Sequence, residues 1–99
     1  MFSSIEEAVR DIQLGKVIII VDDEDRENEG DFVCAAEFIT PEIVNFMISE
    51  GRGLLCVAAD SEIIDKIGLP LMVSNNSAIH GTQFTVSVDA LEKTSTGIY

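Results

Sequence analysis

An α+β fold, in which a mixed β-sheet is covered by helices, is predicted by three observations. Helix-starting residues precede apolar positions at helical spacing, and apolar runs too short for helices lie between them. The two kinds of segment alternate as α-β-(β)-α-β-α-loop-β, the order of one small domain over residues 1–99.

Each element has its own local reason. Ser4-Ile5-Glu6-Glu7 has the S-x-x-E form of a capping box, and Ile5, Ala8, Val9 and Ile12 recur at helical spacing before Gly15, which suits a left-handed C-cap. A helix over residues 4–14 follows. Val17 to Val21 is β-branched throughout and apolar on both faces, the pattern of a central strand covered on both sides. After the polar stretch Asp22 to Asp31, Phe32 to Ala36 reads as a second strand. Thr40-Pro41 is an N-cap followed by proline at the first helical position, and Ile43, Val44, Phe46, Met47 and Ile48 fill a helix that Gly51 ends. Leu54 to Ala58 is predicted as a strand and Ser61 to Ile67 as a third helix stopped by Gly68. The stretch 69–81 reads as a loop with a short strand at Leu71-Met72-Val73. Phe84, Val86 and Val88 alternate with Thr85 and Ser87 as in a strand with one buried face.

Composition narrows the function classes. The chain is 46% hydrophobic and 24% charged, a globular profile. Eighteen acids against six bases give a net charge of -12, the wrong sign for displacing counterions from nucleic-acid phosphates. The longest apolar run, Val17 to Val21, falls far short of the roughly 20 residues of a membrane span, and the N-terminus has no basic segment. A soluble, cytoplasmic protein that binds neither nucleic acid nor membrane is expected. Cys34 and Cys56 form no CxxC pair, so two reduced thiols are expected, with Cys34 packed in its strand.

Charge is concentrated in Asp22-Asp23-Glu24-Asp25-Arg26-Glu27-Asn28-Glu29-Gly30-Asp31, where seven acids and one arginine leave -6 in ten residues. Such a run is either a solvated loop or a set of carboxylates organised by a hard divalent cation or a polar substrate. An EF-hand is excluded by spacing: with Gly30 at position 6, Ala36 falls at position 12, where a bidentate Glu is required. Magnesium, which takes one or two protein carboxylates and keeps several waters, fits better.

That decapeptide, with Asn45-Phe46-Met47, Gly51-Arg52-Gly53-Leu54-Leu55-Cys56, Gly68-Leu69-Pro70, Asn75-Asn76 and Gly81-Thr82-Gln83-Phe84-Thr85-Val86-Ser87-Val88-Asp89, closely resembles the 3,4-dihydroxy-2-butanone 4-phosphate synthases of riboflavin biosynthesis. The resemblance runs through all 99 residues. It implies a lyase that converts ribulose 5-phosphate to 3,4-dihydroxy-2-butanone 4-phosphate and formate with Mg2+ (or Mn2+) and no organic cofactor, working as a homodimer. By the same resemblance Glu27 is a metal ligand, Arg26 and Glu27 contact substrate, Asp31 binds substrate hydroxyls, and Thr96 begins a substrate-contacting segment. The residue types suit the chemistry: forming an enediolate from a ketose needs a base beside the carbonyl and a cation to hold the developing oxyanion.

Other roles stay open at this level. Glu29 is either an acid/base group or a residue that orients the loop, and Cys56 is either a catalytic cysteine or core packing. Arg52 is expected to pair with a neighbouring acid rather than to hold phosphate, and His80 to be a surface histidine. The resemblance also implies a longer protein. Family members continue past Thr96-Gly97-Ile98 to a Gly-Gly-His-Thr-Glu motif whose histidine is the second metal ligand, and the 99 residues contain no such motif. The expectation is therefore the N-terminal half of a synthase domain, with little activity by itself. The alternative is an inactive remnant or an interaction protein that retains weak divalent-cation binding.

Overall fold

Hydroxyl and carboxylate side chains that accept from the third backbone N–H start all three helices, and this positions everything else. The computed structural model describes residues 2–74 and 82–93, and the chain divides into two units, residues 1–57 and 58–99.

In the first unit, helix α1 (Ile5–Gln13) begins where Ser4 Oγ accepts from the Glu7 N–H at 3.2 Å. It ends at Gly15, whose φ of +78° is open to glycine at little cost. A Cβ there would also stand 3.2 Å from Phe38 Cβ. Strands β1 (Ile18–Val21) and β2 (Gly30–Val33) pair antiparallel, with Ile18 opposite Val33 and Val21 opposite Gly30. Helix α2 (Pro41–Phe46) is capped by Thr40 Oγ1, which accepts from the Ile43 N–H at 3.1 Å, and runs on into a π-helical turn, Met47–Gly51. Phe32 of β2 meets Phe46 of α2 with ring centroids 5.0 Å apart, tilted by 41°. This ring pair joins α2 to the sheet, which α1 and the π-helical turn also contact.

In the second unit, helix α3 (Ser61–Ile67) is capped by Asp60 Oδ1, which accepts from the Ile63 N–H at 3.0 Å, and ends at Gly68 with φ +70°. A single antiparallel bridge joins Leu71 to Thr85, supported by Met72 N–H to Phe84 O at 2.9 Å and Val86 N–H to Pro70 O at 3.0 Å.

The α+β class and all three helices match expectation, and four details do not. The second strand lies at Gly30–Val33 rather than Phe32–Ala36, because pairing stops where β1 supplies its last partner, Ile18. Cys34 therefore lies beyond the strand, half-buried. Leu54–Val57 finds no strand partner among the described residues, and pairing over 84–88 is confined to Thr85. Ile19, Ile20 and Val21 are not covered on both faces but are 65%, 51% and 47% exposed. Finally, the π-helical turn that continues α2 includes Gly51 as its last residue and is capped by Arg52, a non-glycine residue with φ +53°. Gly51 has a different constraint, since a Cβ there would stand 3.2 Å from Phe32 Cδ2.

Among the described residues none is fully buried, and no helix is long and apolar enough to cross a membrane. Leu54, Val57 and Leu91 are among many large apolar side chains left open to solvent. Apolar surface of this extent recruits other surfaces, and the edges of a two-stranded sheet add unpaired backbone groups. The 99-residue chain is expected to associate as concentration rises in sedimentation velocity. A monodisperse monomer that melts cooperatively would contradict this.

Candidate functional site

The connection from β1 to β2 is the acidic stretch itself, and its closure begins one residue past β1. Asp22 N–H donates to Glu29 O at 3.2 Å, extending the ladder beyond the Val21–Gly30 pair. Within the loop, Arg26 N–H and Asn28 N–H both donate to Asp23 O, at 3.0 and 3.2 Å. Asn28 takes φ +53°, a conformation that asparagine tolerates better than most residues.

The Asp22 carboxylate gathers three donors. Its Oδ1 accepts from Glu29 N–H at 2.8 Å, and its Oδ2 accepts from Glu27 N–H and Arg26 Nη1, each at 3.0 Å. These bonds favour the charged form and hold the Asp22 carboxyl below its ordinary range. The Glu29 amide acts most strongly; partial burial opposes the shift, and the Glu27 amide and Arg26 reinforce it. Arg26 is shared, with Nη2 lying 3.2 Å from Glu27 Oε1. One guanidinium thus bridges two carboxylates and brings the only local positive charge to the place where the acids crowd.

What remains open is chemically useful. Glu27 Oε2 and the side chains of Glu29 and Asp31 take no hydrogen bond or ion pair from the described residues. Asp31 lies within β2 opposite Ile20, so a paired strand fixes its backbone. No three His, Cys, Asp or Glu side chains among the described residues converge as a metal cage. The available oxygens instead match an ion that takes one or two carboxylates and keeps its waters.

The loop pairs Arg26 with Glu27 and ties the Glu29 amide to Asp22, while Asp31 stands in β2 opposite Ile20. Cys56 is exposed in the extended segment after the Arg52 turn, and among the described residues no hydrogen bond or ion pair ties it to the loop. The expected ion pair of Arg52 is also not made with any described residue. Its Nε instead donates to Ser49 O at 3.5 Å, closing the end of the helix that its own left-handed conformation terminates. Thr96 and His80 lie outside the described residues. A cleft of about 390 Å3 beside α3, lined in part by Ile64, Asp65 and Leu71, includes Leu69, Gln83 and Thr85 of the segments that carry the resemblance but none of the candidate site residues. Asp22 is the residue whose place in the loop sequence reasoning missed, since it looks like any other acid of the run. The available signal was its place directly after the strand.

Comparison with known proteins follows the same residues. The sequence profile of the 3,4-dihydroxy-2-butanone 4-phosphate synthases matches residues 6–99. A 3,4-dihydroxy-2-butanone 4-phosphate synthase of Neisseria meningitidis serogroup A is 53% identical over 97% of this chain and 26% of its own length. A riboflavin biosynthesis protein RibBA of Bacillus mycoides is 55% identical over 99% of this chain and 24% of its own. Among solved structures, a 3,4-dihydroxy-2-butanone 4-phosphate synthase in complex with two magnesium ions superposes with a TM-score of 0.89 at 39% identity, covering 98% of this chain and 45% of that one. RibBX, a two-domain synthase from A. baumannii, gives 0.81 at 52% identity, with 97% and 28% covered. The chain thus spans about a quarter of the length of the curated relatives it matches.

The loop geometry is testable at Asn28. Asn28→Gly should keep the turn, because glycine adopts positive φ freely, whereas Asn28→Val should destabilise it by roughly 1–2 kcal/mol. Chemical denaturation followed by circular dichroism reads the difference, and equal midpoints for the two variants would contradict the left-handed assignment.

Proposed function

The chain belongs to the 3,4-dihydroxy-2-butanone 4-phosphate synthase family, and from that membership we propose that it supplies the acidic-loop side of a site converting ribulose 5-phosphate to 3,4-dihydroxy-2-butanone 4-phosphate and formate. One observation supports this most. The loop neutralises and fixes itself through Asp22 and Arg26, yet leaves oxygens of Glu27, Glu29 and Asp31 open beside one another in sequence.

In this reading Glu27 holds a hard divalent cation through Oε2, while Arg26 steadies its other oxygen. Mg2+, or Mn2+ of the same ligand preference, supplies Lewis-acid stabilisation of negative oxygen when bound. Arg26 is already counted in the loop's charge of -6, and a bound ion would offset part of that remainder, which otherwise repels a sugar phosphate. Asp31, whose backbone is held in β2, orients substrate hydroxyls, and Glu29 serves as the acid/base group. Cys56 contributes a thiol to the site, and Thr96 belongs to a further contacting segment. The active form is proposed to be a cytoplasmic homodimer containing a complete family domain, of which these 99 residues are one part. The alternative is an inactive remnant or an interaction protein that retains weak divalent-cation binding, the latter favoured by the exposed apolar surface.

Two measurements separate these readings. Mn2+ titrated into the 15N-labelled chain should broaden resonances of residues 22–31 first and bind weakly; broadening centred elsewhere contradicts the role of Glu27. The chain alone should release no formate from ribulose 5-phosphate with Mg2+, whereas the chain completed by the remainder of a family domain should release it. Glu27→Gln in the completed enzyme should abolish turnover with the fold intact. Full activity in that variant would end the assignment, and inactivity of the completed enzyme would favour the interaction protein.

A further inference from the structure

We infer that Asp22 is the positioning residue of this loop, committed to holding Arg26, Glu27 and Glu29 in place rather than to binding a metal ion or substrate itself. The inference rests on the functional reading above. A carboxylate offers about four acceptor sites, and protein donors occupy three of those on Asp22: Glu29 N–H on Oδ1, and Glu27 N–H with Arg26 Nη1 on Oδ2. Asp22 is also the one acid of the stretch that is half-buried rather than exposed. It stands next to β1, and its own N–H donates to Glu29 O, so a paired strand carries it. The residues it holds are those with open oxygens or with the shared guanidinium. Asp22 thus connects the paired strands to groups whose usefulness depends on their direction.

The donor set makes the chemistry at this position exacting. Asparagine has nearly the same shape, but one of its two terminal atoms is an NH2 donor. Placed at Oδ2, that amide faces both Glu27 N–H and Arg26 Nη1; turned over, it faces Glu29 N–H. Either orientation sets donor against donor, so removal of one charge releases part of the loop. The same charge removed at Asp25 breaks none of these bonds.

Amide hydrogen exchange on the 15N-labelled 99-residue chain tests this directly. In the unmodified chain the Glu27 and Glu29 amides should exchange more slowly than those of Glu24 and Asp25. Asp22→Asn should abolish that protection while leaving the amides of the β1–β2 ladder protected, and Asp25→Asn should leave Glu27 and Glu29 unchanged. Mn2+ affinity, read from line broadening, should fall about 10- to 100-fold in Asp22→Asn, as when a partner orienting a ligand is lost, and by a smaller factor in Asp25→Asn. Fast exchange of both amides in the unmodified chain overturns the inference without any variant, whatever the folding of Asp22→Asn. Retained protection in a folded Asp22→Asn, or equal loss of Mn2+ affinity in the two variants, overturns it as well. If the unmodified chain binds no Mn2+, the metal reading of Glu27 fails, and the exchange comparison still decides the role of Asp22.

Discussion

Seven carboxylates in ten residues repel one another, so the loop keeps one conformation only if some of that repulsion becomes attraction. The Asp22 carboxylate does this by accepting from two backbone amides and one guanidinium within the same ten residues. Each bond draws a later part of the loop back toward the end of β1, and the Glu29 carbonyl returns the contact by accepting from Asp22 N–H. The direction of Arg26 and the placing of Glu27 depend on this closure, which continues the register set by the β1–β2 ladder. Reversing the order of Asp22 and Arg26 in the sequence would leave composition and charge unchanged and remove the geometry.

Features readable in the sequence were those whose causes are local. Ser4, Thr40 and Asp60 cap helices because each oxygen needs only an N–H three residues on, and Gly15 and Gly68 end them because only local φ is at stake. Strands lack this autonomy. Leu54–Val57 has a fitting pattern but no neighbour among the described residues, and a strand without a neighbour is only an extended segment. The site divides in the same way. Arg26, Glu27, Glu29 and Asp31 were visible as a motif, whereas the distinct duty of Asp22 arises from bonds four to seven residues away, which composition does not encode. Arg52 adds a smaller lesson: the glycine that looked like the stop signal is needed beside Phe32, and the left-handed residue is its neighbour.

Apolar surface and charge make opposite demands on this chain. Phe32 and Phe46 join sheet to helix in the first unit, while Ile19, Ile20, Leu54 and Val57 stay open. Such surface is stable when something covers it, and relatives that match along about a quarter of their length have further chain with which to do so. The acidic loop has the opposite need, for access to solvent, ion and substrate. A fold that presents the loop at one end of a hairpin, secured by its own carboxylate, meets the second demand without waiting for the first.

Scalar coupling across hydrogen bonds measures that closure most directly. Couplings from the Glu27 and Glu29 amide nitrogens to the Asp22 carboxyl carbon, in 15N,13C-labelled protein, should both be detectable alongside those of the β1–β2 ladder. Ladder couplings without any coupling to Asp22 would show a formed hairpin with an unanchored loop, and would contradict the account.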